Sequence, residues 1–384
     1  MKIKNKKLIL SIIIFDITIA VSLCSLLFFT APFVWIGFAC FGMFVTFAII
    51  HNHNFLRPLF VNMSVAILTL SLFETYFFMI TPNNDYKNTG SYAVSYFKSD
   101  DLLGYAPQKN VKVTSTKYFQ DECLYDVVYT IDKNGLRKTP DNQNNADSCI
   151  VFFGGSFTFG EGLQDTETLP NRVSVKTNMK YNIYNFGFHG YGTHHMLAAI
   201  EFGLVEKIVH CQKNAIFIYQ AISHHINRAS GLSEWDAKGP KYELVSDNDV
   251  RFMGHFDDKN IMIRKVLNQC NKSFTFVKLF SYQKAITDNN IKLFSAIIKK
   301  SENLLTDKYK NVSFYTILWD DKSDKHLDRI KYYLNFYKIN VHLISNIIPD
   351  INDNKSKYSI SPNDKHPNAL ANDIIATYIV ENLL

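Results

Sequence analysis

The sequence predicts an α/β protein in which helices cover both faces of a parallel sheet, preceded by three transmembrane helices and a small β-rich region. Three observations lead to this prediction. Residues 1–80 hold three long apolar runs, and residues 98–147 contain a stretch that alternates between apolar and polar side chains. Residues 148–384 alternate apolar runs of strand length with stretches of helical periodicity, a pattern typical of parallel sheets. We therefore divide the chain at residues 1–80, 81–147 and 148–384.

The three apolar runs are Leu8–Thr30, Phe33–Ile50 and Leu59–Ile80. Each approaches the roughly 20 residues that a helix needs to cross a bilayer. A cleaved signal peptide is the alternative for the first run, but that run is long for such a peptide and two more follow at once. Alternating crossings put the basic N-terminus and Arg57 on the same side, as the positive-inside rule requires. The prediction is a multi-pass protein of a bacterial inner membrane, with everything after residue 80 on the periplasmic or extracellular side.

Two acidic residues, Asp16 and Glu74, fall within these predicted spans. Ionisable groups inside a membrane are costly and often functional. Glu74 lies near the end of its helix, so a structural interpretation is favoured there. For Asp16, pairing with another helix and contact with a translocated substrate both stay open.

The β-rich region follows a polar linker at Asn83–Gly90. Apolar side chains recur at every second position from Tyr125 to Ile131, which predicts a strand, and Lys133-Asn134-Gly135 predicts the turn after it. This part of the chain is treated as a linker with a small sheet.

The last part of the chain carries the α/β pattern. Core strands are predicted at Cys149–Phe153, Tyr181–Asn185, Ala215–Tyr219, Val312–Leu318 and Asn340–Ile344. Helices are predicted near 166–178, 193–209, 282–307 and 324–338, and a last helix starts at Pro367. Ligands of such sheets bind outside the carboxyl ends of the strands, so the residues that follow each strand are the candidates for function.

The first core strand runs directly into Gly154-Gly155-Ser156. Small residues let the backbone turn sharply there and bring N–H groups close to a reacting carbonyl, while the serine hydroxyl is exposed at the edge of the sheet. A plain loop is the alternative interpretation of this triplet taken alone.

A second motif, Asp364-Lys365-His366-Pro367, lies more than two hundred residues downstream. A serine nucleophile needs a base, and the base needs an acid to orient it. Ser156, Asp364 and His366 supply these three groups in chain order. Two further strand ends, at Asn185–Thr193 and at Gln220–Arg228, are expected to open onto the same crevice.

These motifs together resemble the SGNH (GDSL-type) hydrolases, whose fold is a flavodoxin-like three-layer α/β/α domain. The likeness rests on Gly154-Gly155-Ser156, Asn185–Gly190 and Asp364–Asn368, and covers roughly residues 149–384. It implies that Ser156 is the nucleophile, His366 the general base and Asp364 the orienting acid. It also implies that the backbone N–H groups of Ser156 and Gly190 contribute to an oxyanion hole.

The sequence departs from that family in two places. Only Lys365 separates the acid from the base, where the family often has two intervening residues; Asp364 is nevertheless the candidate. After the third strand the family usually supplies an oxyanion-hole Asn within a Gly-x-Asn-Asp pattern, whereas this chain has Ile222-Ser223-His224-His225. Ser223 is the candidate substitute donor, with His224 as another.

The resemblance predicts a serine esterase or deacylase, anchored in the membrane, that acts on ester bonds of an acylated cell-envelope glycan or lipid. One alternative is an O-acyl (acetyl) transferase acting on an envelope polysaccharide through the same triad, which leaves room for a partner membrane protein that supplies the acyl donor. A catalytically inactive binding protein for an envelope polymer is the alternative from another class. The bilayer itself is the first expected partner.

Other classes of ligand are not predicted. The formal net charge of +6 comes without a basic stripe interleaved with aromatic residues, so no nucleic acid is expected. No cofactor motif is recognised. Five histidines cluster at the second and third strand ends without an accompanying carboxylate pattern, so no metal site is predicted; they are His189, His194, His195, His224 and His225. Disulfides are open for four cysteines: Cys123, Cys149, Cys211 and Cys270.

Overall fold

A computed structural model describes the chain at residues 32–50, 54–81, 86–89, 96–140, 146–246, 249–257, 266, 269–280 and 286–384. The chain divides into two compact units, each of which we describe by itself. The first comprises residues 1–83 together with 260–283. The second comprises residues 84–259 together with 284–384 and contains the predicted serine, aspartate and histidine.

The described part of the first unit is helical. Helix α1 (Pro32–Ile50) packs along helix α2 (Leu56–Ile80). Within the described residues, α2 alone has the length and apolar composition to cross a membrane, and the apolar part of α1 at Ile36–Ile50 is shorter. The first predicted span, Leu8–Thr30, lies outside the described residues. Among the described residues, one of the predicted membrane-spanning helices thus remains as a candidate, near the N-terminus.

Glu74 makes a specific structural contact inside this unit. Its carboxylate accepts hydrogen bonds from Ser273 Oγ at 2.7 Å and from the backbone N–H groups of Phe274 and Thr275 at 2.7 and 2.8 Å. Those groups form the start of the short helix Phe274–Phe280, whose first N–H groups have no partners within the helix. The structural interpretation of Glu74 thus fits the contacts, although the partner is a helix start and not a membrane interface.

The second unit is built on a five-stranded sheet in which every strand pairing is parallel. Its strands are β6 (Cys149–Phe153), β7 (Asn182–Asn185), β8 (Ala215–Ala221), β11 (Val312–Leu318) and β12 (Val341–Leu343). They lie in the order β12-β11-β8-β6-β7. The chain order thus reverses between β6 and β8, which is the switch point where such sheets bind ligands. The prediction of a parallel α/β sheet is confirmed: two strands have the predicted bounds and the other three differ by one or two residues at their ends.

Helices cover both faces of this sheet. They are α4 (Leu169–Lys176), α5 (Thr193–Glu201), α8 (Asp288–Lys308), α9 (Leu327–Phe336) and α11 (Ala369–Asn382). Because successive strand side chains point to opposite faces, Ile150 and Phe152 join the core under α4 and α11, while Val151 and Phe153 join the core under α5 and α8. The result is a three-layer arrangement with two apolar cores.

Two helix boundaries differ from the sequence prediction for identifiable reasons. The helix predicted over 193–209 ends at Glu201, and Gly203 just beyond it takes a left-handed φ of 73°. The last helix begins at Ala369 instead of Pro367, because Asn368 caps it by accepting the N–H of Ala371. Pro367 belongs to a strand.

Antiparallel strands surround the central sheet. They are β1 (Tyr86–Thr89), β2 (Phe97–Asp100), β3 (Gly104–Pro107), β4 (Val111–Phe119), β5 (Glu122–Ile131), β9 (Pro240–Ser246), β10 (Asp249–His255), β13 (Ser359–Ser361) and β14 (Asp364–Pro367). Strands β1, β4 and β5 form a three-stranded sheet in the order β1-β4-β5. The others form the two-stranded sheets β2-β3, β9-β10 and β13-β14. Two of these hairpins, β9-β10 and β13-β14, are absent from the sequence prediction. Strands β13 and β14 have only three and four residues, whereas in β9 the alternation of Tyr242 and Leu244 with Lys241 and Glu243 was a usable signal.

Arg137 lies after strand β5, and its side chain binds the loop that follows Ser156. Its side chain is buried, with Nε bonded to Asp165 Oδ1 and Nη2 to the Leu163 carbonyl, both at 2.8 Å. Its guanidinium also lies over the rings of Tyr129 and Phe159. The backbone of the loop at residues 160–165 is thereby held in one position beside the serine.

One disulfide joins Cys149 at the start of β6 to Cys211. Cys123 and Cys270 are free thiols. The sequence left this pairing open, since only the fold brings the two Cα atoms to 5.6 Å from each other. Disulfides persist mainly in oxidising compartments.

Candidate active site

The turn after β6 presents Ser156 at the carboxyl end of the sheet. Gly154 adopts a φ of 153°, which L-residues with a side chain rarely adopt, and a Cβ on Gly155 would come within 2.7 Å of Arg228 Nη1. Ser156 then begins the one-turn helix α3 (Ser156–Phe159), which ends at Gly160 with a left-handed φ of 83°. The two glycines are therefore required for this sharp strand-to-helix turn, and the sequence interpretation of a plain loop is wrong.

The structure brings Ser156, His366 and Asp364 together. Ser156 Oγ lies 2.8 Å from His366 Nε2, and His366 Nδ1 lies 2.5 Å from Asp364 Oδ1. Asp364 Oδ1 also accepts the backbone N–H of His366 at 3.1 Å. These three contacts form one continuous hydrogen-bonded chain from hydroxyl to carboxylate.

The short Asp-x-His spacing follows from local structure. Asp364 and His366 lie in strand β14, where residues two apart point to the same face. Lys365 between them points the other way and is exposed. Because Asp364 and His366 lie in a strand, one intervening residue is enough to place their side chains on the same face and in contact.

Lys117 on β4 places a cation next to Asp364. Its Nζ lies 2.8 Å from Asp364 Oδ2, the oxygen that His366 does not use. Burial would raise the pKa of Asp364, but the hydrogen bond and charge of His366, and then those of Lys117, hold it below its usual range. Asp364 is thus ionised at neutral pH.

Glu161 is a second carboxylate at the site. Its Oε2 lies 2.6 Å from His189 Nδ1 and 3.5 Å from His366 Nε2. Burial alone would raise its pKa, but the charges of His366 and His189 and the hydrogen bond from His189 hold it well below the usual range. The loop that carries it is held by Arg137 and by Tyr129 Oη, which accepts the N–H of Gly162 at 2.9 Å.

The two carboxylates decide the charge state of His366. Burial lowers the pKa of an imidazole, but here the charge of Glu161, followed by the hydrogen bond and charge of Asp364, raises the pKa of His366 above its ordinary value. His366 must be neutral to accept a proton from Ser156. The protonated, inactive form therefore persists to a higher pH than for a free histidine.

We expect Glu161→Gln to move the acid limb of the kcat/KM pH profile to lower pH. The amide keeps an oxygen acceptor for His189 but removes the charge that does most to raise the pKa of His366, so His366 becomes neutral at a lower pH. The measurement is kcat/KM for a neutral ester from pH 5 to 9. Glu122→Gln, at an exposed position of β5, is the control. An acid limb that does not move would contradict this role for Glu161.

The predicted oxyanion donors lie on two cavities that meet at Ser156. Gly190, with a left-handed φ of 74°, lines a cavity of about 490 Å³ together with Ser156 and His366. Ser223 lines a second cavity of about 480 Å³ that also includes Ser156 and His366. A side chain at Gly190 would collide with Tyr105 Oη, which explains the glycine there.

The five clustered histidines separate into different environments. His189 contacts Glu161, and His225 is buried with its Nδ1 2.5 Å from Tyr219 Oη. His224 is exposed and lines the 480 Å³ cavity.

The remaining two, His194 and His195, are buried beside Asp236, which the sequence analysis did not connect with them. His194 Nε2 lies 2.7 Å from Asp236 Oδ2, and the ligand-type atoms of all three residues fall within 4.8 Å of one another. The group has the donor types of a cation site. Burial and the charge of His195 lower the pKa of His194 to about 4, so a neutral imidazole that donates to Asp236 also satisfies the geometry.

Three residues of the site were not assigned from sequence: Lys117, Glu161 and Arg228. Glu161 follows the serine by five positions, and Arg228 falls within the third strand-end segment, so proximity to motifs was a usable signal for both. Lys117 had no such signal, because it lies in a β-rich region assigned to a linker.

Comparison with known proteins finds similarity only among solved structures. No protein-family model matches the chain, and no curated protein matches it. Over 60–75% of its length the chain is similar in structure to esterases and lipolytic proteins of the SGNH (GDSL) type.

Three of these structures illustrate the extent of the likeness. A lipolytic G-D-S-L family protein from Veillonella parvula DSM 2008 is 12% identical over 61% of this chain and 97% of its own, with a TM-score of 0.36. A putative lipolytic protein of the same family from Desulfitobacterium hafniense DCB-2 is 12% identical over 60% and 97%, with a TM-score of 0.34. An acetyl xylan esterase from the rumen bacterium Butyrivibrio proteoclasticus is 10% identical over 75% and 85%, with a TM-score of 0.36. Identities and scores this low carry no information about activity.

Proposed function

We propose that this protein is a serine ester hydrolase with Ser156 as nucleophile, His366 as general base and Asp364 as the acid that orients the base. The single observation that supports this most is the hydrogen-bonded chain of Ser156 Oγ, His366 and Asp364 at the switch point of a parallel sheet. Geometry and order match the requirements for an activated hydroxyl.

In this mechanism Ser156 Oγ attacks the ester carbonyl carbon while His366 Nε2 takes the hydroxyl proton. The carbonyl electron pair moves to its oxygen, and the resulting oxyanion is stabilised by the backbone N–H groups of Ser156 and Gly190. The intermediate collapses as His366 returns the proton to the leaving alcohol, which leaves an acyl-enzyme. Water, deprotonated by His366, then releases the acid. Asp364, with Lys117 on its other oxygen, keeps the imidazole oriented throughout.

The substrate that we propose is an ester on an acylated cell-envelope glycan or lipid. The apolar helix α2 supports a bilayer partner, and the Cys149–Cys211 disulfide supports an oxidising compartment outside the cytoplasm. The proposal needs only a single anchor, which α2 can supply. Aromatic rings on the cavity walls, including Trp235 and Trp319, suit stacking on sugars.

O-acyl transfer is the second candidate function. Two cavities that share Ser156 could hold an acyl donor and an acceptor on opposite sides of the acyl-enzyme, and a sugar hydroxyl would then take the place of water. Such a reaction would need a partner membrane protein that supplies the acyl donor.

A fluorophosphonate probe tests the proposal directly. We expect the full-length protein in detergent to become labelled, with the label on the peptide that contains Ser156, and we expect His366→Ala to abolish labelling because the hydroxyl is then not activated. His210→Ala, at an exposed position, is the matched control. A folded wild-type protein that takes no label would instead support the inactive binding protein.

A further inference from the structure

Arg228 stands at the junction of the two cavities. It lies in the short helix α6 (His224–Ala229), which follows β8. The 490 Å³ and 480 Å³ cavities have three lining residues in common, namely Ser156, His366 and Arg228. Arg228 therefore borders the space on both sides of the nucleophile and the base.

The guanidinium of Arg228 also contacts the turn that presents the serine. A Cβ on Gly155 would lie 2.7 Å from its Nη1, so the guanidinium packs directly against the residue before Ser156. The same Nη1 donates a hydrogen bond of 2.7 Å to the carbonyl of Tyr191, the residue after Gly190. Arg228 therefore bridges the two backbone segments that carry the predicted oxyanion donors.

This cation is incompletely paired. Among the described residues, no carboxylate lies within 4.0 Å of it, and its buried Nε has no hydrogen-bond partner. The ring of Trp235 lies 6.0 Å from its guanidinium carbon, and Asp236 and Glu161 act on Arg228 only through their charges at longer range. Arg228 is half-buried and lines both cavities, so a bound molecule can reach its guanidinium, and a group of negative charge is its complementary partner.

We propose that Arg228 is a catalytic residue that donates to the oxyanion formed when Ser156 attacks the ester carbonyl. The inference rests on the proposed hydrolase function. In the family that the sequence resembles, an Asn side chain is usually the third donor to the oxyanion; here the Arg228 guanidinium would take that role. The electron pair that moves to the carbonyl oxygen creates a full negative charge next to Ser156. A fixed cation is complementary to that charge in the transition state and is not matched by the neutral ester in the ground state. Ser223 is the weaker candidate, since it lines one cavity only.

The test compares kinetics of Arg228→Ala, Arg228→Gln and Arg228→Lys in the full-length protein with a neutral ester, p-nitrophenyl acetate. We expect Arg228→Ala to lower kcat by about 100- to 1000-fold with little change in KM, the loss typical of one oxyanion donor. Arg228→Lys, which keeps the charge, should lose less. Added guanidinium ion should restore part of the activity of Arg228→Ala and none of that of Ser156→Ala. Arg251→Ala, at an exposed position of β10, is the control.

Thermal unfolding of each variant separates catalysis from folding, and Arg228→Gln keeps a donor for the Tyr191 carbonyl if Arg228→Ala does not fold. The proposal is overturned if folded Arg228→Ala keeps the wild-type kcat. If Arg228→Ala does not fold, wild-type kcat in folded Arg228→Gln overturns it. Either result leaves the hydrolase function intact. A loss confined to KM for esters that carry a carboxylate or phosphate would also overturn it, since Arg228 would then bind a substrate anion. A folded wild-type protein with neither hydrolysis nor fluorophosphonate labelling would reject both proposals together.

Discussion

Replacing Ser156 with alanine is expected to reduce ester hydrolysis by roughly 10⁴- to 10⁶-fold, the loss that follows removal of a serine nucleophile from a triad. The alanine removes the hydroxyl that lies 2.8 Å from His366 Nε2, so no acyl-enzyme can form. Residual turnover would come only from attack by water within the site. The measurement is kcat for a neutral ester, with thermal unfolding as a check on folding.

Ser246→Ala, at an exposed serine on β9, is the matched control and should retain wild-type kcat. The substitution removes only a hydroxyl oxygen from this buried residue, and alanine favours the helical conformation of the turn that begins there, so the fold should stay intact. Hydrolysis by Ser156→Ala at the wild-type rate would contradict the proposed nucleophile.

Replacing Asp364 with asparagine is expected to reduce kcat by about 10⁴-fold through loss of the correct imidazole tautomer. Asp364 Oδ1 now receives both the Nδ1–H and the backbone N–H of His366, which leaves Nε2 unprotonated toward Ser156. An amide can turn its NH2 group toward Nδ1, so that the proton moves to Nε2 and His366 can no longer accept the proton of Ser156. The amide also removes the negative charge that stabilises the imidazolium in the transition state.

The matched control is Asp328→Asn, at an exposed position in the first turn of α9. Lys117→Met gives a graded comparison: it removes the cation on Asp364 Oδ2 but leaves the contact with His366, so we expect a smaller loss of kcat. A loss for Asp364→Asn no larger than that for Lys117→Met would show that orientation by Asp364 is not important for this site.

The parallel sheet was predictable because its signals are local. Cys149–Phe153 is a fully buried apolar strand that ends at two glycines, and every residue needed to recognise it lies within eight positions. Val312–Leu318 was predicted with the same bounds, because it is rich in β-branched and aromatic residues, which favour strands. The ends of helices were predicted less accurately. A helix starts or stops at a single residue, such as the capping Asn368 or the left-handed Gly203, and periodicity over many residues does not locate it.

The membrane-spanning segments show the limit of composition. The run Leu59–Ile80 falls within one helix, Leu56–Ile80, that is long and apolar enough to cross a bilayer. Helix Pro32–Ile50 is also predicted as a span from its hydrophobicity, but its apolar part at Ile36–Ile50 is shorter than the roughly 20 residues that a crossing needs. Hydrophobicity measures the preference of a segment for an apolar environment, and both a bilayer and a protein interior satisfy that preference.

By itself, the sequence determined the α/β class, the turn that presents Ser156, and the Asp364 and His366 motif, since short-range sterics and hydrophobic periodicity encode these. Only the tertiary structure decided which other side chains face the serine. Lys117, Glu161 and Arg228 come from a β-hairpin, a loop and a short helix that the sheet order brings together, and the Cys149–Cys211 pairing follows from the same order. The physical reason is that charges and thiols interact through space, at distances that depend on how strands are ordered and not on their separation along the chain.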